Sequence, residues 1–396
     1  MSTTTTVTPV EAVRLADPYP FYARLVAERP FAFDEALGAW VAADAAAVRA
    51  VLGSAVLRVR PVAQPVPAGI DGTVAGEVFG RLVRMTDGAA AARLKGVVAG
   101  ALARADTAYA AALAARFTRE ALAAGGEVPY EELMFGVPAR AVAVLCGLAD
   151  GADREAARAI GDFVRCIPAT ATPADHAAAA AAAVRLRALL GPGLDAAAAA
   201  AAPTPAGSTP AGSAPAGSTP ARGLLAELVR AADRDGWVEL GPLLANAIGF
   251  LSQTYDATAG LIGNTLVALA RGAAAPDTGA LVREVVRHDA PVQNTRRFAA
   301  GTFTHAGSTV EPGQQLLVVL AAANRDPAVN PDPHTLLPGR VNPVIFTFGA
   351  AAHRCPGEEL AVALATAVVT ELRTAGLTTT ATPAYRPLAN ARIPHL

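Results

Sequence analysis

From about residue 100 onward the run of hydrophobic and polar positions is dominated by Ala, Leu, Val and Arg with few Gly or Pro interruptions, which predicts helix rather than strand. The clearest helix is "EELAVALATAVVTELRTAG" from Glu358, an amphipathic run with Pro356 just ahead of it and Glu in its first turn, both favourable there. Strand-like pieces are short: "AWVAA" near Trp40, "FTHAGSTVEPGQQLLVVLAA" with a turn at Gly313, and "GLTTTA" near the C-terminus. The fold class expected is therefore mainly α with a small β region.

One stretch breaks the pattern. In "PAGSTPAGSAPAGSTPA", Pro205 to Ala221, the triplet Ala-Gly-Ser recurs at 206, 211 and 216, after alanine runs at 177–183 and 196–202. Small residues with regularly placed prolines cannot bury a core or hold a helix, so residues 203–222 are expected to be a flexible loop between helices, with a partner contact as the alternative. Each unit is too short to be a structural repeat.

Composition sharpens this. The chain has 396 residues, 53% hydrophobic and 17% charged, enough for two domains or one large enzyme fold with a buried cofactor. Its net charge is −1 and its arginines are scattered, so no footprint for nucleic acid is visible and a small-molecule or protein partner is expected. The N-terminus lacks the pattern of a secretion signal, and no membrane span is read from the sequence, which places the protein in the cytoplasm. Cys146, Cys166 and Cys355 are widely spaced and form no C-x-x-C pair, so each stands alone.

Cys355 lies in "FGAAAHRCPGEEL", just before the predicted helix. Unpaired backbone N–H groups and the positive end of a helix dipole favour a thiolate there, the form that ligates iron; a buried, inert thiol is the other reading. Gly349 can take backbone angles closed to other residues, and Gly357 removes a Cβ where a flat cofactor could lie.

"FGAAAHRCPG" resembles the haem-binding loop F-G-x-G-x-H-x-C-x-G of the cytochrome P450 family of haem-thiolate monooxygenases. Phe348, Gly349, His353, Cys355 and Gly357 match it, and Ala351 stands where the family usually has glycine. In "REVVRHDAPVQNTRRFA", Glu284 and Arg287 are similar to the family's E-x-x-R pair, and in the meander "ANRDPAVNPDPHTLLPGR" Arg340 stands at the place of its arginine partner. Further matches in the family's order are "DPYPFYARL" at 17–25, "RMTDGAAAARLKGVV" at 84–98 for the C helix, and "LLANAIGFLSQTYDATAGLIGNTLVALA" at 243–270 for the I helix.

The resemblance implies one P450 domain over 1–396, holding haem b with Cys355 as axial iron ligand. It implies Arg297 and His353 on the haem propionates, and Glu284, Arg287 and Arg340 as a buried structural network behind the cysteine loop. In the C helix, where the family carries a histidine and, four residues on, an arginine, Ala91 and Lys95 stand instead; Lys95, the only lysine, is a candidate propionate cation or a solvated side chain. In the I helix the family's A-G-x-(D/E)-T-(T/S) becomes Gln253, Thr254, Tyr255, Asp256, Ala257, Thr258. Asp256 is kept, but the threonine hydroxyl that assists proton delivery is missing at Ala257. Ordered water, Thr254, Thr258 or the substrate must then supply the proton. Thr254 narrows the groove where dioxygen enters, and Gln253 adds an amide near the pocket.

Three functions follow from the resemblance. The first is hydroxylation or epoxidation of a small biosynthetic intermediate. The second is oxidative coupling or ring closure of a phenolic or peptide-like substrate without oxygen insertion, motivated by Ala257. The third is a catalytically silent haem scaffold. Electrons are expected from a ferredoxin-type donor with a separate reductase, since no flavin or dinucleotide fingerprint is present. Arg93, Lys95, Arg104 and Arg354 are candidates for its docking face, with a generic solvated surface as the alternative, and a carrier protein could present the substrate. His288 follows the E-x-x-R pair where the family often has tyrosine; it and His176, His305, His334 and His395 have no metal-ligand spacing and are read as non-catalytic.

Overall fold

A computed structural model describes residues 7–149, 151–201 and 223–396; the connector expected at 203–222 lies outside the described residues. In chain order the helices are α1 (Pro9–Ala12), α2 (Tyr19–Glu28), α3 (Ala45–Gly53), α4 (Val74–Phe79), α5 (Ala89–Leu102), α6 (Thr107–Ala123) and α7 (Val137–Leu145). There follow α8 (Ala152–Val164), α9 (Pro173–Ala201), α10 (Leu224–Asp235), α11 (Leu240–Ala270), α12 (Thr278–His288), α13 (Leu320–Asn324) and α14 (Glu358–Thr374). The strands are β1 (Phe31–Asp34), β2 (Ala39–Ala42), β3 (Leu57–Arg58), β4 (Thr295–Ala299), β5 (Phe303–His305), β6 (Ser308–Val310) and β7 (Gln315–Val318). The chain is thus mainly helical with a small β region.

The chain divides into two compact units. The first contains 7–65, Thr118–Met134 and Asp256–Leu396, and all seven strands belong to it. Its five-stranded sheet runs β1-β2-β7-β4-β3, antiparallel throughout except for the β2–β7 pair, where Trp40 faces Leu316. Successive side chains of a strand point to opposite faces. Leu316 and Val318 accordingly join Val48, Val51 and Leu52 of α3 in one core, while Leu317 and Val319 join Tyr19, Tyr22 and Leu25 of α2 in another. A sheet covered on both faces explains why "QLLVV" reads as a continuous apolar run rather than an alternating one.

The strand expectations are met in part. "AWVAA" contains β2, and the long Phe303 segment contains β5, β6 and β7, with Gly313 turning at φ +88; its last residues coil into α13. "GLTTTA" is not a strand. Leu377 N–H donates back to the Leu372 carbonyl to close α14, and the carbonyls of Thr378 and Ala381 accept from the Tyr130 hydroxyl and Arg271 instead of from a neighbouring strand. The strands β1, β3 and β4 were not read from the sequence. β4 spells "TRRFA", whose two arginines obscure its apolar face.

The second unit is all helical. Within it α8 packs on α9 and α7, α10 packs on α5 and α9, and α4 packs on α9. Alanine dominates these helices, and its small side chain lets helix axes approach closely while keeping the best intrinsic helix propensity. In α9, Ala179, Ala182, Ala183, Leu186, Leu190 and Leu194 form the buried stripe, at helical spacing, and Pro192 sits exposed inside the helix. The absence of any membrane-span candidate, read from the sequence, needs correction: α9 is long and apolar enough to cross a bilayer by length and composition, with mean hydropathy 1.2 over its best window. Its buried stripe is used instead against α4, α8 and α10.

Candidate functional site

The cysteine loop belongs to the first unit and is built by backbone hydrogen bonds. Gly349 N–H donates to the Phe346 carbonyl at 2.7 Å, and Cys355 N–H reaches back to the Phe348 carbonyl at 2.7 Å, closing the loop at its neck. Between them Ala351–His353 form one 3₁₀ turn, and Gly349 bends the chain at φ +71. A Cβ at Gly349 would lie 3.2 Å from the His353 carbonyl oxygen, so the turn needs glycine for both angle and space. Ala351, where the family has glycine, stands at φ +52. That is left-handed backbone, disfavoured for a residue with a Cβ.

The thiol's position relative to the helix differs slightly from the expectation. The N-cap of α14 is Gly357 and its first helical residue Glu358, so Cys355 lies two residues ahead of the cap. Cys355 is exposed, His353 and Phe348 are half-buried, and Arg354 turns outward to Glu358 at 2.8 Å. Cys146 and Cys166 are buried, and burial pushes their thiols up to about 12 and about 11. They stay protonated, and of the three cysteines only Cys355 is presented for ligation. A soft, accessible sulfur donor suits haem iron, so the donor set fits the group that the sequence implies.

Glu284 and Arg287 meet one turn apart on α12. Arg287 Nη2 and Nε donate to the two carboxylate oxygens of Glu284 at 2.6 and 3.0 Å, with side-chain exposures of 0% and 2%. Arg340 Nε approaches the same carboxylate at 3.4 Å, and Leu337 N–H donates to it at 3.0 Å. The remaining arginine donors go to carbonyls: Arg287 to those of Asn324, Pro333 and Thr335, Arg340 to those of Pro331, Asp332 and Thr335. Three charges that would each be costly alone are thus brought together and fully hydrogen-bonded.

Arg297 is buried on β4, paired in register with Leu316 of β7, and its Nη1 donates to the Arg296 carbonyl at 2.8 Å. On α11, Asp256 and Ala257 are half-buried and Thr258 is fully buried. The Thr258 hydroxyl has no hydrogen-bond partner among the described residues. One turn earlier in the same helix, Thr254 donates its hydroxyl proton to the Phe250 carbonyl at 2.7 Å, and Gln253 donates to the Gly249 carbonyl at 3.1 Å. Both polar side chains are therefore committed in part to their own helix backbone. Lys95 is half-buried on α5, in the second unit with Thr254, while Cys355, His353, Arg297 and the charge network lie in the first. Of the proposed docking arginines, Arg93 is held by Asp235 at 2.6 Å and lies over the Trp237 ring.

A second buried network went unread in the sequence. Arg392, close to the C-terminus, pairs with Asp289 at 2.9 Å, donates to the carbonyls of Val13, Leu15 and Ala16, and stacks on Tyr385. Tyr19 donates to the same Asp289 carboxylate at 3.0 Å. Next to it, His288 Nδ1 lies 3.0 Å from Arg325 Nη2, and its Nε2 lies 2.9 Å from the His334 carbonyl. The first nitrogen must accept and the second donate, which fixes one neutral tautomer. Burial, reinforced by the Arg325 charge, lowers His288 to about 4. The lone signal for this network in the sequence was the replacement of the family's usual tyrosine by His288.

No family model matches the sequence. Among curated proteins the chain is 34% identical over 151 residues to the 6-deoxyerythronolide B hydroxylase of Saccharopolyspora erythraea, covering 35% of this chain and 36% of that protein. It is 35% identical over 148 residues to the vitamin D(3) 25-hydroxylase of Pseudonocardia autotrophica, covering 35% and 37%. The match thus spans little more than a third of these relatives' length. Solved structures match over nearly the whole chain. CalO2 superposes with a TM-score of 0.79 at 25% identity, covering 98% of this chain and 97% of that one. P450BioI, solved in complex with an acyl carrier protein ligated to hexadec-9Z-enoic acid, gives 0.76 at 21% identity and 96% of both chains. The fold is that of a cytochrome P450. With the relatives' names and the Cys355 loop taken together, the chain is similar to cytochromes P450 in its whole fold and in about a third of its sequence.

Proposed function

We propose that the protein is a haem-thiolate monooxygenase that hydroxylates or epoxidises a small biosynthetic intermediate. The observation that carries this reading is the Cys355 loop, closed at its neck by the Cys355–Phe348 backbone bond and presenting the chain's one exposed thiol. Bound through that sulfur, haem b would supply oxidation by dioxygen, with two electrons from a ferredoxin-type donor and its reductase. Cys355 would hold the iron through its sulfur, and Arg297, His353 and Lys95 would neutralise the propionates. Phe348, Gly349 and Gly357 shape the loop, and Glu284, Arg287 and Arg340 hold it from behind. Asp256 and Thr258 are the groups of this chain suited to move a proton on α11. The names of the relatives, two of them hydroxylases, support oxygen insertion. The P450BioI complex supports a substrate delivered on a carrier protein.

Oxidative coupling without oxygen insertion is favoured by one specific observation: Ala257 has no hydroxyl, and the threonine one turn earlier, Thr254, donates its own to the Phe250 carbonyl. Its proton is thereby engaged by the helix backbone. Substrates are found by spin-state titration, and turnover under labelled dioxygen separates the readings. A product heavier by one labelled oxygen supports monooxygenation; loss of hydrogens alone supports coupling. Ala257→Thr should raise turnover in the first case. A reduced CO complex without the thiolate signature overturns both.

A further inference from the structure

The charge network and the approach to the cysteine loop meet at one residue, Asn324, which touches the first with its backbone and the second with its side chain. Asn324, the last residue of α13, is fully buried. Its Oδ1 accepts from Phe346 N–H at 2.6 Å, and its Nδ2 donates to the Thr347 hydroxyl at 2.7 Å. Thr347 passes its own proton to the Val286 carbonyl at 2.6 Å, on α12 between Glu284 and Arg287. The Asn324 backbone carbonyl meanwhile accepts from Arg287 at 3.2 Å and from Asn330 Nδ2 at 2.9 Å. Asn330 grips the approach to the loop by a reciprocal pair with Val344, donating to its carbonyl at 2.8 Å and accepting from its N–H at 3.0 Å.

Residues 343–347 form no ladder with any strand, so these contacts take the place of sheet pairing. Phe346 is then the acceptor for Gly349 N–H, which begins the turn, and Phe348 the acceptor for Cys355 N–H, which ends it. The amide is matched at both ends. An aspartate there would lack the donor for Thr347, and a leucine would lack both groups.

We infer that Asn324 is a positioning residue for Cys355: through Phe346 and Thr347 it fixes the base of the loop, and so the direction in which the sulfur is held for the iron it would bind. This rests on the reading of Cys355 as the haem ligand. A residue that merely stabilised the fold would lower thermal stability without changing ligation. A positioning residue changes how often the sulfur is on the iron.

The test uses the haem-loaded full chain. Wild type, Asn324→Ala, Thr347→Val and Thr347→Ser are compared for melting temperature, haem content and the ratio of thiolate-detached to thiolate-ligated reduced CO complex. Thr347→Val keeps the side chain's shape, so it remains informative if Asn324→Ala fails to fold. Leaving a buried amide or carbonyl unsatisfied should raise that ratio about tenfold in Asn324→Ala and Thr347→Val, while Thr347→Ser stays within about twofold of wild type. An unchanged ratio with a lowered melting temperature overturns the inference. A wild type lacking any thiolate-ligated complex overturns instead the reading of Cys355 on which it rests.

Discussion

Arg287 meets Glu284 as a two-pronged fork, Nη2 at 2.6 Å and Nε at 3.0 Å from separate carboxylate oxygens, with neither side chain open to solvent. Removing the carboxylate strands two guanidinium groups in the interior. Glu284→Ala should cost about 3–5 kcal/mol, and Arg287→Lys, which cannot serve Glu284 and three carbonyls at once, a similar amount. Urea unfolding of the purified variants checks this, and a loss below about 1 kcal/mol contradicts the pair's burial.

The loop offers a paired test of backbone strain. Ala351→Gly, at φ +52, should stabilise by up to about 1 kcal/mol, because relief of the left-handed strain exceeds the entropy of the added glycine. Gly349→Ala, at φ +71 with its new Cβ 3.2 Å from a carbonyl oxygen, should destabilise by about 1–2 kcal/mol. Denaturation midpoints at constant slope report both, and equal signs for the two changes contradict the turn geometry.

Acid should weaken the fold through His288. The folded state lowers its pKa from 6.5 to about 4, so between those values the unfolded chain binds the proton that the native chain refuses. Stability therefore falls as pH drops from 6.5 toward 4 and the contribution levels off below, to a total of about 3 kcal/mol. Arg325, Arg287, Asp289 and His334 surround the ring and keep their roles in His288→Gln. That variant should show a flatter pH profile by urea unfolding; an identical profile rules out this source.

Thr258 carries a buried hydroxyl with no partner among the described residues. Thr258→Val, nearly isosteric, should raise stability by about 1 kcal/mol. If the hydroxyl serves proton delivery, the same variant loses product formation relative to electrons consumed. Comparing melting temperature with product per electron separates a gain in stability from a loss in function.

The helices and the cysteine loop were legible because they obey local rules: helical spacing from residue 100 onward, and a motif of fixed residue types around Cys355. Glu284 and Arg287 were legible as a pair for the same reason, being one turn apart. The strands were less so. β3 has two residues, β4 hides its apolar side behind Arg296 and Arg297, and "GLTTTA" has strand-forming residues two of whose carbonyls accept from side chains elsewhere in the chain. The Arg392–Asp289–Tyr19 network and the Asn324 bridge depend on residues far apart in sequence, which no local pattern encodes.

The contrast among the three cysteines turns the protein into its own cofactor gauge. With Cys146 and Cys166 buried and Cys355 exposed, a thiol reagent should label a haem-free native chain once and an unfolded chain three times. Each iron that occupies Cys355 subtracts one reactive thiol, so the stoichiometry of labelling counts the loaded molecules without reference to any catalytic assay.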